Sequence, residues 1–121
     1  NLGEGWVSET KLLNNVKNWV ANYKVVPQWS PRWLGKQRID VGIPSLKIGI
    51  EWHGTQHFEP VDFFGGQAAY KKQRELDKKK ILLCKKNGTL LLEFKQGDSD
   101  KYIKDKILSA VKKQESKTKV K

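Results

Sequence analysis

Four side chains that can bind a metal ion or transfer a proton lie close together in the middle of the chain. They are Asp40, Glu51, His53 and His57, and the two histidines are the only ones present. Carboxylates are hard oxygen ligands for divalent cations, and an imidazole titrates near neutral pH. Gathered at the ends of neighbouring strands, such groups predict a metal-dependent hydrolytic site.

Hydrolysis of a phosphodiester is the reaction that this set fits best. The reaction needs a hydroxide nucleophile and a positive charge beside the phosphate, and a divalent cation held by carboxylates supplies both. Asp40 and Glu51 are the predicted metal ligands, and the alternative for each is a solvated acid at a strand end. Mg²⁺ or Mn²⁺ is the expected ion because the acids are hard ligands, although two histidines and two acids also suit zinc.

Three further polar residues are candidates for the chemistry around the metal. His57 is the candidate general base, since its imidazole can take a proton from the attacking water. His53 shares a strand face with Glu51 and is a candidate for holding water or phosphate, while Gln56 is a candidate for orienting the phosphate. Each has a plainer alternative as a polar residue of a strand end or a surface loop.

Two short strands are expected to position the acids. Residues 38–43 and 46–52 alternate between apolar and other side chains, with a tight turn predicted between them at Pro44. The resulting antiparallel hairpin brings Asp40 and Glu51 together at its open end. The side chains expected to point away from Asp40 are those of Ile39, Val41 and Ile43.

The rest of the chain reads as helices and strands in the order αβββαβα. The elements around the hairpin are a helix capped by Ser8, a strand over 23–29, a helix over 67–87 ended by Gly88, a strand over 89–94 and a helix capped by Gly97-Asp98-Ser99. In the helix over 67–87, spacings of four and seven are expected to turn Asp77, Ile81 and Cys84 toward the sheet.

The charge balance indicates a polyanionic partner, most often nucleic acid. Lys and Arg number 24 against 13 Asp and Glu, for a formal net charge of +11. Residues 112–121 are expected to form a basic flexible tail, and without them the charge is still about +7. A basic surface kept for solubility is the alternative. The residues expected to contact phosphates are Arg32, Lys36, Arg38, Lys71, Lys72 and Arg74.

Length and composition predict one domain over residues 1–111. Cys84 is the only cysteine, which excludes an internal disulfide and a cysteine-rich zinc site. No apolar run is long enough to span a membrane and no signal peptide is evident, so a cytoplasmic setting, prokaryotic or associated with a phage nucleoid, is expected. The chain starts at Asn1, which suggests a fragment of a longer protein with a recognition domain elsewhere.

Residues 50–58 (IEWHGTQHF) and 74–80 (RELDKKK), together with Glu9 and Asp40, carry a resemblance to a known family. They resemble the PD-(D/E)XK nuclease superfamily, and within it the branch of very-short-patch-repair and homing endonucleases. The resemblance covers roughly residues 8–94. The branch's series of Glu, Asp, a variable position, His and Asp falls here on Glu9, Asp40, Glu51, His57 and Asp77.

The resemblance implies a restriction-endonuclease-like α/β fold: an αβββαβ core with a central mixed sheet flanked by helices, here followed by a C-terminal helix. It also implies a Mg²⁺-dependent endonuclease acting on DNA, with Glu9 and Asp77 in the outer part of the site, one on each flanking helix. The chain departs from the superfamily at His53, which stands where a lysine is usual. That departure moves the base role toward His57.

Two other classes of protein remain open from the sequence. The first is a nucleic-acid-binding module that keeps the nuclease fold without catalysis, and His53 in the lysine position supports it. The second is a structural partner in a larger complex, for which no residue pattern speaks directly.

Overall fold

The computed structural model describes the backbone of residues 4–54 and 66–119 and the side chains of residues 9–54 and 66–117. Its helices and strands are α1 (Glu4–Trp19), β1 (Val26–Trp29), β2 (Ile39–Ile43), β3 (Ile48–His53), α2 (Gly66–Lys86), β4 (Leu90–Lys95) and α3 (Asp100–Lys119). The predicted element order and the α/β class are confirmed. None of the helices described is long and apolar enough to cross a bilayer.

The four strands form one mixed sheet in the order β1-β2-β3-β4. Strand β2 runs antiparallel to both β1 and β3, whereas β4 runs parallel to β3. A parallel neighbour requires a crossover connection, and α2 lies in that connection. The sheet therefore has a three-stranded antiparallel part and one strand added after a helix.

The β2–β3 hairpin has a longer turn than the sequence predicted. Its pairing in register is Val41 with Ile50 and Ile43 with Ile48. Between the strands the chain makes a short 3₁₀ turn over Pro44–Leu46 and then passes through Lys47 at φ 55°. Proline suits the start of a 3₁₀ turn because its φ is fixed. The connection is therefore a 3₁₀ turn followed by Lys47, which is longer than the tight turn predicted at Pro44.

Helices cover both faces of the sheet. On one face α1 and α3 pack against β2, β3 and β4 in the main core, whose fully buried side chains include those of Val16, Val41, Ile43, Ile48, Ile50 and Ile107. On the other face α2 packs through Cys84 against Leu34 and Ile39 in a smaller cluster. The predicted arrangement of a sheet flanked by helices is thus present.

Ile39 does not share a side of β2 with Val41, contrary to the sequence prediction. Ile39 packs with Cys84, whereas Val41 packs in the main core. Backbone pairing between β2 and β3 extends from the Val41–Ile50 pair to the turn. Beyond that pair, toward the open end of the hairpin, hydrogen bonds to side chains take the place of backbone hydrogen bonds between the strands. The regular alternation of side chains that the prediction assumed is broken there.

The ends of the helices correct two further predictions. Helix α1 begins at Glu4, so Ser8 lies inside it and is not its cap. Helix α3 does begin after Ser99, whose Oγ accepts the Tyr102 N–H at 3.1 Å. It then continues to Lys119, so residues 112–119 are helical and do not form a flexible tail.

Gln114 explains why the helix continues through the basic segment. Its side chain is buried and its Nε2 donates to the Leu46 carbonyl at 2.8 Å. Ile103, Ile107 and Gln114 follow one another at helical spacing, so the stripe of α3 that faces the sheet extends beyond the last apolar residue. The exposed lysines of this segment, Lys112, Lys113 and Lys117, lie on the outer side of the helix.

Candidate functional site

The open end of the β2–β3 hairpin brings Asp40 and Glu51 together. The Asp40 backbone N–H donates to Glu51 Oε2 at 2.9 Å, and the Trp52 backbone N–H donates to Asp40 Oδ2 at 2.7 Å. Each carboxylate is therefore held by the backbone of the opposite strand. The juxtaposition that the hairpin pattern predicted is confirmed, and the proposed role of both acids in metal binding stays a prediction.

Lys80 from α2 completes this arrangement, and the sequence analysis did not place it there. Its Nζ donates to Glu51 Oε1 at 3.0 Å and to the Arg38 carbonyl at 2.6 Å. The side chains of Lys80 and Glu51 are only 15% and 14% exposed. A lysine and a glutamate this poorly solvated form a far more specific contact than a surface ion pair.

The orientation of α2 explains why Lys80 was missed. Ile81 was predicted to face the sheet, but it is 46% exposed and that prediction is wrong. Cys84 is buried, and the residue one turn before it is Lys80. The spacing of four between Lys80 and Cys84 could have predicted that both face the sheet. The apolar character of Ile81 favoured a different face of the helix instead.

Glu9 from α1 lies within electrostatic reach of the two strand acids. Burial, followed by the charges of Asp40 and Glu51, raises the pKa of Glu9 above its ordinary value. Gln28 Nε2 donates to Glu9 Oε2 in a long hydrogen bond of 3.4 Å. A cavity of about 240 Å³ lies here, with Glu9, Gln28 and Asp40 in its walls. The first helix therefore brings Glu9 beside the strand acids, and its predicted role in the site stays a prediction.

Gln28 reaches this cavity through an unusual backbone conformation. It lies in β1, between Pro27 and Trp29, at φ 50° in the left-handed region. A side chain of this kind adopts that region infrequently, and such residues gather at functional sites. Gln28 was not among the residues predicted for the site.

The electrostatics of the site are dominated by its acids. Burial is the largest cause that raises the pKa of Glu51, and the charge of Asp40 raises it further. The hydrogen bonds from the Asp40 backbone and from Lys80 act in the opposite direction without cancelling the rise. Glu9, Asp40 and Glu51 thus lie within electrostatic reach of one another, and an added cation would be stabilised there.

His53 and Asp77 contact neighbours other than these acids. His53 lies two residues after Glu51 on the same side of β3, and its Nε2 is 3.0 Å from Glu93 Oε1. Asp77 accepts a hydrogen bond from Gln73 at 2.9 Å on its own helix, one turn before Lys80. The structure thus places both on elements of the site, and their predicted catalytic roles stay predictions.

The remaining predicted residues divide into two groups. Gln56 and His57 lie outside the described residues. The six basic residues predicted to contact phosphates are all exposed: Arg32, Lys36 and Arg38 around the start of β2, and Lys71, Lys72 and Arg74 on α2.

The donor set fits Mg²⁺ or Mn²⁺ without forming a complete metal cage. Within residues 4–54 and 66–119, no group of three His, Cys, Asp or Glu side chains has the geometry of a ready metal site. Mg²⁺ does not require such a group, since it is usually held by one or two carboxylates with water and substrate phosphates as its other ligands. Asp40 and Glu51 are two neighbouring carboxylates, so their chemistry fits such an ion.

Comparison with known proteins adds two distant viral relatives. The chain is 42% identical over 57 residues to uncharacterized protein 094L of Frog virus 3 (isolate Goorha), which is 46% of this chain and 37% of that protein. It is 34% identical over 56 residues to uncharacterized protein 307L of Invertebrate iridescent virus 6, which is 46% of this chain and 28% of that protein. The chain thus spans about a third of the length of the curated relatives it matches. No family profile and no solved structure matches it.

Proposed function

We propose that the protein is a metal-dependent DNA endonuclease with a restriction-endonuclease-like core of the very-short-patch-repair type. The observation that carries the proposal is the interlocked group of Asp40, Glu51 and Lys80 at the open end of the β2–β3 hairpin. Two carboxylates from neighbouring strands and a poorly solvated lysine are the groups that metal-assisted phosphodiester hydrolysis uses. The strongly basic chain supports a nucleic-acid substrate.

Asp40 and Glu51 would hold the divalent cation in this proposal. When bound, Mg²⁺ or Mn²⁺ supplies Lewis-acid stabilisation of the phosphate and a water of lowered pKa. The backbone N–H groups of Asp40 and Trp52 fix the two carboxylates, so that little rearrangement is needed during the reaction. Glu9 adds negative charge from α1 and would serve the outer part of the site.

Lys80 would supply the positive charge that the resemblance expects at His53. An ammonium group has three N–H donors, and two of those of Lys80 are used by Glu51 and the Arg38 carbonyl. The third is available to a phosphate oxygen or to the attacking water. Lys80 of α2 would thus take the place of the lysine that the resemblance expects at His53. This weakens the argument for a nucleic-acid-binding module that has lost catalysis.

Proton transfer from the attacking water is assigned to His57, with His53 as the second candidate. His53 has a carboxylate partner in Glu93, which orients its ring. Arg32, Lys36 and Arg38, with Lys71, Lys72 and Arg74, would neutralise backbone phosphates on either side of the scissile bond.

The test is cleavage of supercoiled plasmid DNA with Mg²⁺, Mn²⁺, Zn²⁺ or EDTA. We expect nicked or linear product with Mg²⁺ or Mn²⁺, and a loss of at least about 1,000-fold in Asp40→Asn and Glu51→Gln. Asp105→Asn, an exposed acid on α3, is the matched control and should cleave like the wild type. Thermal unfolding of each variant separates lost chemistry from lost fold.

The alternative is a nucleic-acid-binding module in which the Glu51–Lys80 pair has only a structural role. The same variants discriminate the two. Salt-sensitive DNA binding that is unaffected by Asp40→Asn, combined with no cleavage under any metal and no metal binding in calorimetry, would establish the alternative and overturn the endonuclease proposal.

A further inference from the structure

Helix α3 carries a row of basic and aromatic side chains that the proposed reaction does not use. Tyr102, Lys106, Lys113 and Lys117 follow at spacings of four, seven and four. At 100° per residue they lie within about 60° of one another around the helix, and at 1.5 Å per residue they extend over about 22 Å. All four are exposed. We call Tyr102, Lys106, Lys113 and Lys117 the α3 row.

The α3 row has the electrostatic character of a binding surface. Within the part of the chain that the structure describes, none of its three lysines forms an ion pair with an acid. Lys101, on another side of the same helix, is paired with Asp105 at 3.3 Å, so the helix has acids but does not place them on this row. Uncompensated lysines in a line attract a polyanion.

Tyr102 gives the row an aromatic surface at one end. The ring is 47% exposed, and it contacts Phe94 edge to face at a centroid distance of 6.2 Å. Lys106 Nζ lies 5.7 Å from the centre of the same ring. Because the buried Phe94 supports it from below, Tyr102 is an exposed ring in a defined orientation. Such rings stack on the unpaired bases of single-stranded nucleic acids.

The row starts at the level of the open end of the β2–β3 hairpin and runs toward its turn. Lys11 of α1 pairs with Asp100 at the start of α3 at 3.7 Å, and Tyr23, just after α1, bonds to Glu115 near the end of α3. These two contacts show that α1 and α3 run in the same direction. Tyr102 contacts Phe94, which is paired with Trp52, so the row starts at the level of the open end of the hairpin and its lysines continue toward the turn that Gln114 contacts.

We propose that the α3 row binds a single-stranded nucleic acid, with phosphates on Lys106, Lys113 and Lys117 and a base stacked on Tyr102. The choice of nucleic acid rests on the proposed function, but the binding itself requires no cleavage. A lipid surface fits less well. A helix that lies on a membrane inserts an apolar face, and the apolar side of α3 is already buried in the core.

The test is fluorescence anisotropy with a labelled twelve-nucleotide single strand and the matching duplex, in EDTA, over a range of salt concentrations. Lys113→Gln/Lys117→Gln should weaken single-strand binding roughly 10-fold and reduce the salt slope by about 1.4. Lys104→Gln/Lys112→Gln is the matched control, since both lysines are exposed on the opposite flank of the same helix. It should change affinity by less than about 2-fold.

Tyr102 is tested separately from the charges. Tyr102→Ala should weaken single-strand binding by about 5- to 150-fold with an unchanged salt slope, and Tyr102→Phe should restore it, since stacking needs only the ring. Equal losses in the two lysine variants, an unaffected Tyr102→Ala, or tighter binding to duplex or to phosphatidylglycerol vesicles would each overturn the proposal. A failure of plasmid cleavage would leave these results unchanged, so the two proposals fail separately.

Discussion

The two ends of the β2–β3 hairpin each bury polar side chains from a neighbouring helix, and the two ends differ in kind. At the turn end, Gln114 of α3 donates to the carbonyls of Leu46 and Lys47 at 2.8 and 3.3 Å. At the open end, Lys80 of α2 contacts Glu51 beside Asp40. One end uses a neutral amide and the other uses charges.

The contact at the turn end is suited to a structural role, whereas the contact at the open end is suited to chemistry. The amide of Gln114 gives the Leu46 carbonyl a donor and introduces no charge into the core. The Lys47 carbonyl also accepts the Leu90 N–H at 2.9 Å, so it does not depend on Gln114. At the open end, burial and mutual repulsion raise the pKa values of Glu9 and Glu51, so their charged forms cost stability. Such an arrangement is common at functional sites and rare where stability alone decides.

Removing the charge of Lys80 is the strongest test of this comparison. We expect Lys80→Met to lower cleavage by at least about 100-fold, because the phosphate and Glu51 lose their cation. It should also lower the free energy of unfolding by roughly 2–4 kcal/mol, since it leaves a poorly solvated carboxylate without its partner. Plasmid nicking and urea unfolding measure the two effects.

Two further variants keep the Lys80 result interpretable. Lys79→Met changes an exposed neighbour on the same helix and should alter neither quantity. Adding Glu51→Gln to Lys80→Met should recover part of the lost stability but none of the cleavage. If Lys80→Met unfolds no more easily than Lys79→Met, the contact between Lys80 and Glu51 contributes too little stability to make the open end differ from the turn end.

The strands of the hairpin and the meeting of Asp40 with Glu51 were predictable from the sequence. The strands depend on a period of two, and the meeting of the acids depends on pairing across one hairpin; both are local properties of the chain. The period of two failed only at Ile39, where the alternation is broken. The position of Lys80 was not predicted because it depends on the rotation of α2 about its own axis. The burial of Cys84 sets that rotation. Ile81 is apolar and so suggested a different buried face, although it is exposed in the structure.

The extent of α3 was missed for a related reason. Composition marks residues 112–121 as a basic tail, since lysines dominate them. Gln114 continues the inner stripe of the helix, but its contribution depends on carbonyls of a turn far away in the chain. A polar residue at a buried helical position can be recognised only when its partner is known.

The turn end is tested by removing its amide. Gln114→Leu should lower the free energy of unfolding by about 1–2 kcal/mol, because the Leu46 carbonyl loses its donor. Cleavage should not change, since the turn lies at the other end of the hairpin from Asp40. Ser116→Ala, an exposed change on the same helix, is the control for denaturant unfolding. A loss of cleavage in folded Gln114→Leu would show that the two ends are not independent.

The smallest expected effect concerns Glu9 and appears as a dependence on pH. Its raised pKa means that the folded protein holds this proton more tightly than the unfolded chain does. Ionised Glu9 therefore lowers stability above its folded pKa, and the lost stability returns as the pH falls toward the ordinary carboxyl value of about 4.3. In EDTA, Glu9→Gln should unfold at a higher temperature than the wild type at pH 7–8, and at the same temperature near pH 4.

The same pH series run on Gln114→Leu sharpens the comparison of the two ends. An amide does not titrate, so the difference between Gln114→Leu and the wild type should be constant from pH 4 to pH 8. Glu75→Gln, an exposed acid on α2, controls for the loss of one negative charge from a basic protein. If Glu9→Gln and Glu75→Gln follow the same pH curve, the gain reflects net charge, and Glu9 is not destabilised by the acids beside it.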